Sequence, residues 1–163
     1  MRKGLLRALS MLLIMALCLL PCSCGGKTEY CEIGIVLPDG FKESEAGGGF
    51  DRVYSSGTES VGIFRISFDA AIDEGISTTM SAMKFAEYYR DESGLVTDIL
   101  QDGTVAYFIH VFEDADGTRY FHLPTFYRTP YAYFVIIFTA VGDYDAEVER
   151  RFLDIASTVY LID

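Results

Sequence analysis

Short apolar, β-branched and aromatic runs separated by polar turns recur along the chain, and the pattern changes to helical spacing at two places. Ile33-Gly34-Ile35-Val36-Leu37 is β-branched and bounded by Pro38-Asp39-Gly40, which predicts a strand and a turn. Glu43 to Gly49 is a polar, glycine-rich loop. Phe50 to Tyr54 alternates and predicts a short strand, Ser55 to Thr58 a turn, and Val61 to Phe68 the next strand. Then Ala82, Phe85, Ala86 and Tyr89 fall on one helical face, with Ser77 or Thr78 as the expected cap and Gly94 as the left-handed stop. Three strands follow: Thr104 to Phe112, Arg119 to Tyr127 and Tyr131 to Val141. The turns between them are Asp114-Ala115-Asp116-Gly117 and Arg128-Thr129-Pro130. A second helix starts near Asp143, with Tyr144, Val148, Phe152, Ile155 and Ala156 as its stripe and Glu147 paired to Arg151. Thr158 to Ile162 closes as a short strand.

The first and last strands of the predicted meander are apolar on both faces, so both faces need cover. With the order strands, helix, strands, helix, the expected fold class is α+β. The architecture is an α/β/α sandwich, a twisted antiparallel sheet flanked by helices.

The N-terminus has a different pattern. Met1 to Arg7 is basic, Ala8 to Leu20 is an apolar run broken by Ser10, and Pro21-Cys22-Ser23-Cys24-Gly25-Gly26 follows. That order is a secretory signal peptide. Its end resembles the lipobox of bacterial lipoproteins, in which a small residue precedes a cysteine that is acylated. Ser23 makes Cys24 the expected lipidation site over Cys22, which follows Pro21. The position usually held by leucine, three before the cysteine, is Pro21 here. An uncleaved transmembrane anchor needs about 20 apolar residues, and the run is shorter. The expected organisation is a signal peptide at 1–23, the lipidated cysteine and a short tether at 24–29, and one globular domain at 30–163. The expected location is the extracytoplasmic face of the cell membrane.

Charge narrows the partners. The chain carries a net charge of −11, and losing Arg2, Lys3 and Arg7 with the signal peptide brings it to −14. Such a surface disfavours nucleic acid and anionic membranes, and it favours solubility. Of the four cysteines, Cys31 alone stays in the domain beside an acylated Cys24, and it reads as a buried, inert thiol.

Several residues carry a family resemblance: the opening Ile35-Val36-Leu37-Pro38-Asp39-Gly40-Phe41, then Phe50-Asp51, and Gly103 before Tyr107-Phe108. The aromatic hairpin Tyr120 to Phe138 follows, and then Asp143-Tyr144 leads to Phe152 and Ile155-Ala156-Ser157-Thr158-Val159. The pattern resembles the PsbP/Mog1-like domains of bacterial lipoproteins over most of residues 30–163. It implies an α/β/α sandwich that serves as a binding or assembly module. Neither photosynthesis nor GTPase binding is carried over.

The sequence offers little catalytic chemistry. There is no G-x-S-x-G, no phosphate-cradling loop and no paired carboxylates on an apolar face. No enzyme activity and no cofactor are expected. If Asp114 pairs with Thr118, His110 faces His122 on one side of the sheet. Two imidazoles in that register are candidate metal ligands, but their neighbours are aromatic and no third ligand is obvious. The preferred reading is two half-buried histidines in an aromatic layer. Asp114-x-Asp116-Gly117 resembles the start of a calcium loop, and turn chemistry accounts for it. Tyrosine-rich surfaces favour interfaces, so Arg128, Tyr131 and Tyr133 are the expected partner-binding residues. The function expected is a lipid-anchored binding or assembly module for a protein partner at the envelope. The alternative is a small-ligand or metal-binding lipoprotein with a pocket near His110 and His122.

Overall fold

A computed structural model describes residues 32–162. The signal segment, Cys22, Cys24, the tether and Cys31 lie outside the described residues. Eight strands form one antiparallel sheet: β2 (Lys42–Ser44), β3 (Arg52–Ser56), β4 (Glu59–Ser67), β5 (Leu100–Asp102), β6 (Val105–Tyr107), β7 (His110–Glu113), β8 (Arg119–Arg128) and β9 (Ala132–Val141). Its order is β2-β3-β4-β9-β8-β6-β5, with β7 also on β8. A separate two-stranded ribbon joins β1 (Glu32–Gly34) to β10 (Tyr160–Ile162). The helices are α1 (Phe68–Asp73), α2 (Ala82–Glu92) and α3 (Ala146–Ala156).

Both sheet faces are covered, as the doubly apolar strands require. On one face Phe152, Ile155 and Ala156 of α3 pack with Phe121, Leu123, Ile136 and Phe138. On the other, Phe85 and Ala86 of α2 and Ala71 of α1 pack with Phe108, Phe126, Tyr133 and Val135. The α+β class with a helix-flanked antiparallel sheet therefore holds.

Local details depart from the sequence reading. The predicted strand 33–37 leaves its ladder after Gly34, because β10 offers only a three-residue partner. Beyond it the Val36 amide donates to Thr158 Oγ1 at 3.0 Å. Ser81, not Ser77 or Thr78, caps α2: its hydroxyl accepts from the Lys84 amide. Gly94 at φ +67° stops that helix as expected. Helix α1 was not expected; Ser67 caps it by accepting from the Ala70 amide at 3.1 Å. Helix α3 begins at Ala146 with Asp145 as its cap, and Tyr144, placed on the apolar stripe by sequence, is exposed. Arg151 pairs with Glu59 across to the sheet rather than with Glu147.

The predicted strand 104–112 is broken at Phe108 and Ile109, and the cause is on its neighbour. Pro124 in β8 accepts from the Phe108 amide at 3.4 Å but has no N–H to return. The register is unchanged across the break: Ala106 faces Phe126 before it and His110 faces His122 after it. The Ile109 carbonyl is taken up by the Thr97 hydroxyl at 3.1 Å.

Candidate functional site

The β7–β8 turn sets the site. Asp114 accepts from the amides of Asp116 and Thr118, both at 2.9 Å, and Gly117 takes φ +80°. These bonds hold the Asp114 carboxyl below its usual range and account for the calcium-like motif as turn chemistry. Asp114 and Thr118 close the ladder, so His110 stands directly opposite His122. This is a hydrogen-bonded pair, whose Cα atoms lie about 5.5 Å apart.

The row continues across the sheet. His122 faces Thr139, Thr139 faces Ser60, and Ser60 faces Ser55. One polar row thus crosses the α2 face in line. Helix α2 lies over rows nearer the other end, where Phe85 and Tyr89 meet Phe126. The histidine row stays uncapped by any helix among the described residues, and its side chains are half-buried from His110 to Ser60 and exposed at Ser55.

Aromatic side chains border it. Phe112 stacks on His110 (5.5 Å, 10°), meets His122 edge-on (4.7 Å, 72°) and stacks on Tyr120 (5.3 Å, 19°). Val141, opposite Tyr120, is 48% exposed. On the other side the Phe50 ring lies over Gly62, where a Cβ would come within 2.5 Å of it. Together these residues form a shallow shelf with an imidazole and hydroxyl centre and apolar borders.

Burial lowers both imidazole pKa values. His122 falls to about 4, through desolvation first and the nearness of His110 second. His110 is lowered by desolvation alone. Both rings are therefore neutral at neutral pH. Neither has a hydrogen-bond partner among the described residues.

The expected partner-binding residues separate. Tyr133 is a core residue: it is 0% exposed, its ring stacks on Phe85 at 4.2 Å, and its one hydroxyl proton is shared between the Ser77 (2.8 Å) and Met80 (3.2 Å) carbonyls. It does not reach a partner, because its position in β9 faces α2. Arg128 and Tyr131 do lie at the surface, at the opposite end of the sheet from the shelf. The Arg128 guanidinium sits 5.3 Å over the Phe68 ring and donates to the Thr78 carbonyl.

A cleft of about 430 Å³ lies beside α3, lined by Asp102, Glu149, Arg150, Leu153 and Asp154. Its acid Glu149 accepts from the hydroxyls of Tyr107 (3.2 Å) and Tyr144 (2.6 Å). Burial and that carboxylate push Tyr107 up to about 12. Both oxygens of Glu149 are thus engaged. Among the described residues no three His, Cys, Asp or Glu side chains gather as a metal cluster.

Sequence reasoning found the histidine pair through the turn. It missed Thr139 and Ser60 as their row-mates, because that placement needs the registers of β8, β9 and β4 together.

Solved structures similar to this chain include the following two. One is a crystal structure of a protein from Bacteroides thetaiotaomicron, 17% identical with a TM-score of 0.55, covering 80% of this chain. The chain spans only 45% of that protein's length. The other is the solution structure of cyanobacterial PsbP (CyanoP) from Synechocystis, 14% identical with a TM-score of 0.45, covering 86% of this chain and 98% of that one. At these identities the likeness is one of fold. No protein-family model and no curated protein matches the chain.

Proposed function

We propose that this chain is a non-catalytic binding module, held at the extracytoplasmic face of the membrane by an acylated Cys24, that docks a protein partner on the shelf around His110, Phe112, Tyr120 and Val141. The observation that carries this reading is the shelf itself. Half-buried aromatic rings border an uncapped row of imidazole and hydroxyl groups. Such surfaces combine apolar contact area with oriented polar groups, which is how interface cores are built. Glu149, one of the three carboxylates lining the α3 cleft, already serves two tyrosines.

The test places a photoreactive side chain at Val141, at Tyr131 or at Ile72 in the membrane-anchored protein and irradiates native cells. Ile72 is 63% exposed on α1, which starts at the Tyr131 end of the sheet, and serves as the control for the shelf. A single protein adduct at Val141, absent at Ile72 and lost with Phe112→Ala, supports the shelf. An adduct at Tyr131 alone moves the interface to the Arg128 end of the sheet. Adducts at neither position sink the partner reading and favour a small ligand at the histidine row.

A further inference from the structure

We infer that His110 and His122 together form an open site for one divalent ion of the imidazole-preferring class, nickel, copper or zinc. The two side chains stand directly opposite in a hydrogen-bonded register pair. That spacing places both rings within reach of one ion. Phe112 fixes their orientation, stacked on one ring and edge-on to the other.

A further observation supports the site. The ladder around them is closed by the Asp114 turn and by β9, so the rings sit on a scaffold rather than on a loose loop. The remaining coordination positions face the uncapped side of the shelf, where water completes the shell. With two protein ligands and no carboxylate the site is of modest affinity. Its metal order follows ligand type, with copper above nickel. This inference does not depend on the protein-partner reading; it rests on the histidine pair alone.

The full chain, purified in detergent, is titrated with nickel chloride while the imidazole proton resonances are followed. Because the chain has two histidines, their signals report on nothing else. Both sets should broaden together at one ion per chain. Calorimetry should show that binding weakened about tenfold or more in His110→Gln and again in His122→Gln. His110→Gln keeps the test valid should the more buried His122 be needed for folding. Broadening of one histidine only, or of neither, overturns the site. So does nickel binding that both variants leave unchanged, which would place the ion elsewhere, as on the cysteines.

Discussion

At the residue scale, Tyr133 and His122 show how burial decides a side chain's role. Tyr133 carries a polar tip into the core and keeps it satisfied by two carbonyls. Tyr133→Phe removes that shared donor and keeps the ring stack on Phe85. It should cost about 1–2 kcal/mol, read as a lower urea midpoint, while the photoadduct at Val141 is unchanged. Loss of the adduct in a folded Tyr133→Phe protein would return the residue to the interface. His122 makes stability depend on pH. Its folded pKa is lowered to about 4 from the ordinary 6.5, so the unfolded chain binds the proton more readily. Stability should therefore be flat above about pH 6.5, fall as the pH drops toward 4, and level off below that. At about 1.4 kcal/mol per pKa unit the loss from this residue is about 3 kcal/mol. His122→Gln should flatten the slope between pH 6.5 and 4; an unchanged slope would assign it to other groups.

At the scale of elements, the turns and caps carry the sequence's clearest signals. Asp114 to Thr118 was legible because an Asp acceptor and a Gly at positive φ leave the hairpin little choice, and the histidine register followed from it. The caps were less legible. Ser77, Thr78 and Ser81 are chemically alike, and the choice of Ser81 depends on where Phe85 and Ala86 meet the sheet. Helix α1 has one buried residue, Ala71, too few to show a period. Ser81→Ala should destabilise the domain by about 1 kcal/mol, whereas Ser77→Ala and Thr78→Ala should have little effect in the same denaturation measurement. The break between β6 and β7 was hidden for another reason. Its cause is a proline on the neighbouring strand, and single-strand patterns do not see neighbours. Pro124→Val restores a donor facing Phe108. Hydrogen exchange over residues 105–113 should slow in that variant if the missing donor is the cause, and should stay the same or quicken if side-chain packing is.

At the scale of the whole molecule, the two helix-covered faces follow from strands that are apolar on both sides. The shelf is what remains where α2 stops short. The candidate site was half legible: the histidines could be paired from one hairpin, but the open face required the full sheet. Attachment belongs to the same scale. Among the described residues no helix is long and apolar enough to cross a membrane, and the proposed attachment is through the acylated cysteine. An acyl chain gains about 0.8 kcal/mol per buried CH₂, and stable anchoring needs more than one chain. Removing the acceptor thiol should therefore release the protein completely rather than in part. Cys24→Ala should leave the full-length precursor unprocessed or shift the protein to the soluble fraction, and the intact mass should lack the lipid increment. Cys22→Ala should change neither fractionation nor mass increment. If Cys22→Ala abolishes acylation and Cys24→Ala does not, the tether begins two residues earlier and the lipoprotein reading stands. If both variants still fractionate with membranes at the unmodified mass, the attachment is not through lipid on either cysteine. The chain would then be held by its uncleaved apolar segment or by the partner on the shelf, two cases that alkaline carbonate washing separates.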